Sequence, residues 1–283
     1  MNKQPSKNDI ARGLDNQSLF LPEQNRMKIA SYNIYEGAWE SLPELEEFVR
    51  QEDPDVLCLQ EANGWLKGPD NQLDRFAKAT GLTHTAAGSN SRFTIATLSR
   101  LPFVNAQVHQ EGFHHGAIQT TIDTPGGTID LWNTHLYPFN EDGRIREAEY
   151  MAHRIPMDGQ ALIVGDLNSL SRTDNYADDF ARRYHAKTKG GSKEKFGTTH
   201  NRYEVTDTLE HSGFIDLAAR LGAPTNTVPT PVNKDEAHAD ELRLDYMFAT
   251  RKLAERALGI TVPKTALTGR ISDHYPQVLT LSD

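Results

Sequence analysis

The chain closes with the stretch TGRISDHYPQVLTL, residues 268–281, in which a polar turn leads into an apolar strand. The segment 277–281 is rich in β-formers, and Pro276 suits the first residues of a strand rather than its centre. Asp273 and His274 stand directly before it and place a carboxylate beside an imidazole. Asp and Ser commonly build turns, so these residues could form a turn and nothing more. The alternative is a chemical site, and the rest of the sequence bears on that choice.

Several other apolar, strand-like segments also end in polar groups able to bind a metal ion or a phosphate. Together with the final segment they deliver Asn33, Glu61, Asn133, His135, Asp166, Asn168, Asp245, Asp273 and His274. An ionised carboxylate at such a position is costly unless it is paired, hydrogen-bonded or bound to metal. If the strand ends converge in the fold, these groups form a site.

The types of ligand narrow the chemistry of this site. Carboxylate and amide oxygens suit a hard cation, Mg²⁺ or Mn²⁺, and the single cysteine, Cys58, excludes a thiolate cluster. The chain has neither the GxxxxGK[ST] loop of nucleotide-driven motors nor the Gly-x-Ser-x-Gly turn of acyl hydrolases. The remaining interpretation is metal-assisted attack of water on a phosphoester, with histidines moving protons.

Hairpins mixed with helices predict two β-sheets packed together with helices outside. Strands are predicted over 27–34, 55–61, 93–99, 117–123, 127–136, 161–167, 243–250 and 277–281. Helices are predicted over 41–51, where Ser41 is the expected cap, and over 141–155 and 174–184. We expect residues 1–25 to form a flexible tail and residues 26–283 to form one catalytic domain.

Composition and charge set limits on location and partners. Of the 283 residues, 37% are hydrophobic, which permits a substantial core, and no apolar run approaches the roughly 20 residues of a membrane span. The polar first 26 residues lack the apolar centre of a secretory signal. We therefore expect a cytoplasmic monomer. The net charge of −9 argues against a protein that coats nucleic acid by electrostatics alone.

The segment 182–202 is a basic exception to this acidity, with seven Lys or Arg against one Glu, so 7 − 1 = +6. Its Gly-Gly and Ser residues predict an exposed, mobile loop, which is either a solvated surface or a grip on phosphates through residues such as Lys187 and Lys189. Arg243 is expected either to pair with a carboxylate inside the site, where it would contact substrate, or to end a strand.

Six short motifs carry a resemblance to a known family. They are SYNIYEG (31–37), LQEANGW (59–65), NTHLYP (133–138), GDLNS (165–169), RLDYMF (243–248) and SDHYPQVLTL (272–281). In composition and order they resemble the endonuclease/exonuclease/phosphatase superfamily, which has the deoxyribonuclease I-like fold. The resemblance implies an α+β fold, a four-layer α/β/β/α sandwich of two mostly antiparallel sheets, with the active site at one edge of the sheets. It also implies that Glu61 is the principal Mg²⁺ ligand, helped by Asn33 and Asp273.

The same resemblance implies roles for the remaining polar groups. His274 is the general base toward the attacking water, oriented by Asp245. His135 contacts a phosphate oxygen or protonates the leaving group. Asp166 and Asn168 orient the nucleophile and the phosphoryl group.

Aromatic and histidine residues outside these motif positions leave alternatives open. Trp39, Trp65 and Trp132 could stack on bases or sugars. Trp132, on a strand, is expected in the core, and Trp65, in the loop after Glu61, is the favoured substrate contact. His114-His115 could line the cleft or form a turn.

The resulting hypothesis is a nuclease that acts on DNA or RNA. The basic segment favours it, whereas the overall acidity favours a hydrolase of a small phosphoester, such as a nucleotide, a phosphoinositide or a sphingomyelin-like lipid. A non-catalytic binding module is a further alternative, but it should lack a ligand or a base, and this chain has the full set.

Overall fold

The computed structural model describes residues 26–223, 225–234 and 239–283, so the tail predicted for residues 1–25 lies outside the described residues. The strands, numbered in chain order, form two six-stranded sheets. The first sheet is ordered β11 (Ala257–Thr261), β12 (Gln277–Ser282), β1 (Arg26–Asn33), β2 (Val56–Gln60), β4 (Ile95–Ser99), β3 (His84–Gly88). The second is ordered β5 (Phe103–His109), β6 (Ala117–Thr124), β7 (Gly127–His135), β8 (Ala161–Asp166), β10 (Asp245–Ala249), β9 (Ile215–Asp216). Only the β1–β2 and β7–β8 pairs are parallel, which confirms the predicted mostly antiparallel sheets.

Seven α-helices lie within the described residues. They are α1 (Leu42–Glu52), α2 (Gln72–Thr80), α3 (Glu141–Ala152), α4 (Phe180–Lys187), α5 (Glu204–His211), α6 (Leu217–Arg220) and α7 (Arg251–Ala254). Across the same ranges, none of the helices has the length and apolarity needed to cross a membrane. The predicted helices at 41–51 and 141–155 are present as α1 and α3.

Three local predictions need correction. The helix expected over 174–184 begins only at Phe180, because Asn175 is left-handed (φ 54°) and Asp179 occupies the N-cap. The segment 182–202 is consequently not a simple loop, since it contains most of α4 and a 3-10 turn at Gly190–Glu194. Ser41 does occupy the N-cap of α1, but its hydroxyl donates to the carbonyl oxygen of Ile271 (3.0 Å) instead of capping the helix.

Hydrophobic residues form a core between the two sheets and a further core on the outer face of each. Side chains alternate along the strands, so Ile29 of β1 faces the central core while Ala30 faces the helices α1 and α2. Cys58 lies in the central core as a small buried residue, as predicted. Trp132 packs on the outer face of the second sheet against α3. The architecture is the predicted α/β/β/α sandwich.

Strand register brings the polar strand ends together. In the second sheet, Asp166 at the end of β8 pairs with His135 of parallel β7 and with Asp245 of antiparallel β10. In the first sheet, Asn33 at the end of β1 pairs with Gln60, and Glu61 follows directly. Residues that pair across neighbouring strands project to the same face. Each sheet therefore presents its own set of polar groups at one edge.

The close contact of β8 with β7 depends on Gly165, the residue before Asp166. Its backbone φ is +136°, and a Cβ atom at this position would collide with the carbonyl oxygen of Thr134. We expect Gly165→Ala to lower the free energy of unfolding by at least about 3 kcal/mol, because a strained φ and a backbone clash act together. Urea unfolding of the purified variant measures the loss.

Gly259→Ala is the matched control, since Gly259 lies in the edge strand β11 with open space around the Cβ position. It should unfold within about 1 kcal/mol of the wild type. Equal stability of the two variants would contradict the packing argument.

Candidate active site

The carboxylate of Asp166 lies at the centre of the polar cluster, and it is almost completely buried. Its Oδ2 atom accepts a hydrogen bond from Asn33 Nδ2 (3.1 Å) and lies 3.4 Å from His135 Nε2 and 3.7 Å from His274 Nε2. Its Oδ1 atom accepts from the backbone N–H of Asn168 (2.8 Å), which is left-handed at this turn. One oxygen therefore faces groups from both sheets.

Glu61 lies beside this centre at the end of the first sheet. Asn33 Nδ2 donates to its Oε1 (3.2 Å) and the backbone N–H of Glu36 to its Oε2 (3.1 Å). Burial raises the pKa of Glu61 to about 7, and the negative charge of Asp273 adds to the rise. Two carboxylates that disfavour each other's ionisation attract a positive charge to the space between them.

The orientation of Asn33 differs from the predicted ligand role. Its NH₂ group bridges the carboxylates of Glu61 and Asp166, while its oxygen accepts from the backbone N–H of Tyr35 (3.1 Å). An amide directs its oxygen, not its nitrogen, at a cation. In this arrangement Asn33 positions the carboxylates, and its role as a cation ligand stays a prediction.

His274 is held through both its ring and its backbone. Nδ1 lies 2.8 Å from Asp245 Oδ2, and the backbone N–H donates to Ser272 Oγ (3.1 Å). Ser272 in turn donates to the carbonyl oxygen of Asn33 (2.6 Å), which fixes the turn against β1. Burial alone lowers the pKa of the imidazole, but the charges of Asp245 and Asp166 outweigh it and raise the pKa.

His135 packs against a second buried histidine, His115, with ring centroids 4.4 Å apart. His115 Nδ1 lies 2.7 Å from Ser91 Oγ. Burial, and after it the positive charge of His135, lowers the pKa of His115 far below its usual range, so its ring is neutral at physiological pH. Of the two alternatives for the histidine pair, the structure therefore favours a place beside the site for His115.

The donor set fits a hard divalent cation. Glu61 and Asp273 offer carboxylate oxygens in the like-charged pair described above. A second group, formed by Asp166, Asp245 and His274, has ligand atoms within 4.8 Å of one another and could also hold an ion. Oxygen-rich sets of this kind suit Mg²⁺ or Mn²⁺.

Other predicted site residues lie elsewhere. Asn133 is a structural bridge between the sheets, since its Oδ1 accepts from Gln60 Nε2 (2.8 Å) and its Nδ2 donates to the carbonyl oxygen of Ala96 (2.9 Å). Trp65 is fully buried and its indole N–H donates to the carbonyl oxygen of Gly37 (2.9 Å), so it offers no surface for substrate. The substrate contact predicted for Trp65 is not supported.

Arg243 is also structural. Its guanidinium is 1% exposed and pairs with Asp216 (2.6 Å) and Asp174 (3.0 Å). The sequence offered a carboxylate pair inside the site as one of two alternatives for Arg243. Arg243 does pair with carboxylates, but they are not the carboxylates of the site. Burial makes the pair costly to break and leaves no donor directed at the substrate.

The basic segment 182–202 holds less unpaired charge than its composition indicates. Lys187 pairs with Asp240, and Lys195 is buried. The three arginines of the segment are paired as well, namely Arg182 and Arg183 with Asp179, and Arg202 with Asp142 and Glu204. Lys189 lies exposed. The substrate contacts of Lys187 and Lys189 stay predictions, with weaker electrostatic support than the sequence indicated.

Sequence reasoning missed two positioning groups, Ser272 and Glu36, and left the place of His115 open between the cleft and a turn. Ser272 adjoins Asp273 and His274 in the sequence, so its position was a usable signal. Glu36 gave no such signal, and the place of His115 could not be decided, because their roles depend on contacts with Glu61 and Ser91, which lie at least 24 residues away.

Comparisons with known proteins agree with this geometry. The family model described as the endonuclease/exonuclease/phosphatase family matches residues 30–274. No curated protein matches the chain in sequence.

Three solved structures illustrate the structural similarity. The endonuclease/exonuclease/phosphatase of Beutenbergia cavernae DSM 12333 is 20% identical with a TM-score of 0.64, covering 91% of this chain and 72% of its own. An AP endonuclease of Archaeoglobus fulgidus is 20% identical with a TM-score of 0.65, and the match covers 91% of this chain and 99% of the endonuclease. The 3'-5' exonuclease NExo of Neisseria meningitidis is 17% identical with a TM-score of 0.66, and the match covers 91% of this chain and 100% of the exonuclease.

At these identities the structures show the fold. The family match over most of the chain shows more, and the chain belongs to the endonuclease/exonuclease/phosphatase family, whose members hydrolyse phosphoester bonds.

Proposed function

We propose that the protein is a divalent-cation-dependent nuclease that cleaves phosphodiester bonds by attack of water. The observation that carries the proposal is the meeting of His135, His274 and Asn33 around one carboxylate oxygen of Asp166, with Glu61 beside them. A base, an acid and a like-charged carboxylate pair at one sheet edge are the components that phosphoester hydrolysis requires.

His274 acts as the general base in this proposal. With its Nδ1–H directed at Asp245, the imidazole would accept a proton from water through Nε2, once that nitrogen is deprotonated. The raised pKa opposes this deprotonation, and the positive charge of a bound cation would favour it. Asp166 lies between Nε2 of His274 and Nε2 of His135, and therefore holds both imidazoles toward the same space. His135 then donates a proton to the leaving oxygen or binds a phosphoryl oxygen.

Glu61, together with Asp273, would hold Mg²⁺ or Mn²⁺. When bound, the cation supplies positive charge beside the phosphoryl oxygens and offsets the negative field of the carboxylates around His274. Asn33 and the backbone N–H of Glu36 keep the Glu61 carboxylate in one orientation.

Nucleic acid is the favoured substrate. Two of the similar solved structures are named as an AP endonuclease and a 3'-5' exonuclease, both of which act on nucleic acid by name. A hydrolase of a small phosphoester is the second candidate. It is supported by the net charge of −9 and by the ion pairs that neutralise much of the segment 182–202. A cytoplasmic location and a monomeric state remain part of the proposal.

The first test removes the proposed base. His274→Ala should lower kcat by about 10²–10⁴-fold, because a positioned general base contributes this much to proton transfer. The measurement is Mg²⁺-dependent hydrolysis of plasmid DNA, structured RNA and bis(p-nitrophenyl) phosphate. His211→Ala, an exposed histidine at the end of α5, is the matched control and should keep wild-type rates.

The three substrates separate the candidates. Cleavage of either polymer that is lost in His274→Ala supports the nuclease. Hydrolysis of the small diester alone supports the second candidate, and equal rates in the variant and the wild type on every substrate would refute catalysis at this site.

The second test concerns the cation. Mg²⁺ should raise the melting temperature of chelator-treated wild-type protein, since a ligand at 100 times its Kd stabilises the native state by about 2.7 kcal/mol. Glu61→Gln should lose most of this stabilisation, because the amide removes one of the charges that attract the cation. Glu255→Gln, an exposed carboxylate after α7, should respond like the wild type. An undiminished Mg²⁺ response in Glu61→Gln would exclude Glu61 as the principal ligand.

A further inference from the structure

A cleft of about 730 Å³ adjoins the proposed cation site and contains the most exposed tryptophan of the chain. Trp39 is 50% exposed, whereas Trp65 and Trp132 are at most 1% exposed. The cleft shares Glu36 and Asn63 with the surroundings of Glu61, since Glu36 N–H donates to Glu61 and Asn63 Nδ2 donates to Glu36 (2.9 Å). A group bound against Trp39 would therefore lie next to the reacting phosphate.

The indole of Trp39 is held in place by its surroundings. Its Nε1 donates to the carbonyl oxygen of Asn63 (3.0 Å), which fixes one edge of the ring. The ring lies against two glycines with left-handed φ, Gly37 and Gly64. A Cβ atom at Gly37 would lie 2.7 Å from the indole nitrogen, and one at Gly64 would lie 3.3 Å from Cζ2. A pre-oriented, half-exposed aromatic ring loses little conformational entropy when a planar group stacks on it.

The charge of the cleft is opposite to that of the whole chain. Lys67, Arg75 and Arg92 line it against one acid, Glu36, so the local balance is 3 − 1 = +2 in a protein of net charge −9. Arg92 pairs with Glu36 (2.8 Å) and Arg75 with Asp70 (3.8 Å), but their side chains remain 70% and 54% exposed. Lys67 is exposed as well. An aromatic platform flanked by cations matches a planar base joined to a phosphate.

We infer that this cleft is a subsite for an unpaired nucleobase and its phosphate, adjacent to the bond that is cleaved. The inference rests on the proposed nuclease function and narrows it. A base offers a free face to Trp39 only when it is not stacked inside a double helix, so the subsite selects single strands, overhangs or displaced ends. Lys67 and Arg75 contact the neighbouring phosphate. An aliphatic phosphoester would gain nothing from the indole.

The test compares two single-stranded DNA substrates of the same length with one cleavable position. One carries normal bases, and the other carries tetrahydrofuran in place of the bases beside the cleaved bond. Trp39→Ala and Trp39→Leu should lower kcat/KM on the normal strand roughly 5- to 150-fold, mainly through KM, as expected for one lost stacking contact. Trp39→Phe, which keeps an aromatic face, should restore most of it.

The base-free strand supplies the second half of the test. Wild-type protein should cleave it as poorly as Trp39→Ala cleaves the normal strand, and Trp39→Ala should cause no further loss, because the two changes remove the same contact. Wild type should also prefer the single strand to its duplex. Val104→Ala truncates an exposed side chain on edge strand β5, outside the cleft, and should leave both substrates unaffected.

Intrinsic fluorescence gives a readout independent of catalysis. Since Trp65 and Trp132 are buried, quenching by the normal strand should come from Trp39 and disappear in Trp39→Phe. Equal kcat/KM and affinity for wild type and Trp39→Leu on the normal strand would overturn the subsite while leaving the nuclease intact. If wild type hydrolysed only a small diester and cleaved neither DNA nor RNA, the proposed function itself would fail, and the subsite with it.

Discussion

The arrangement of the site depends on one buried negative charge, the carboxylate of Asp166. It is 1% exposed, and burying a carboxylate is unfavourable unless donors surround it. The donors come from both layers of the sandwich, Asn33 from the first sheet and the turn of Asn168 from the second. The hydrogen bonds to this carboxylate therefore align the ends of the two sheets. Without that alignment His135 and His274, which reach the cluster from different sheets, would not share a target.

The burial that makes the ionised cluster energetically unfavourable also prepares it to bind a cation. Burial, and after it the negative charge of Asp273, raises the pKa of Glu61, so its ionised form is unfavourable in the free protein. A rigid core surrounds them, so the carboxylates do not move apart and relax. A bound cation would relieve the repulsion directly. The buried carboxylates thus destabilise the sheet edge, and the apolar layers on either side stabilise the fold. This is expected where function opposes local stability.

The sequence predicted the strand-end cluster because each member adjoins an apolar run that identifies its strand. The pairing of Asp166 with Asp245 was not predicted, since it depends on the register of β8 and β10. Strand β3 could not be found this way, because its sequence HTAAG has little β-propensity and forms a strand by pairing with β4. The choice between Trp65 and Trp39 was likewise beyond the sequence. Both are loop tryptophans, and only tertiary packing decides which of them is buried.

Electrostatics limits how this acidic chain can hold a polyanion. A net charge of −9 repels a phosphate backbone at long range, and the basic segment 182–202 is largely paired within the protein. Under the proposed function attraction is therefore local, from the cation that Glu61 would hold and from the few basic side chains near Trp39. A few phosphate contacts give weak, shallowly salt-dependent binding along a backbone. On this proposal, substrate selection would depend on contacts made at the cleaved bond itself, and a stacked base would be the contact that remains strong when charge is scarce.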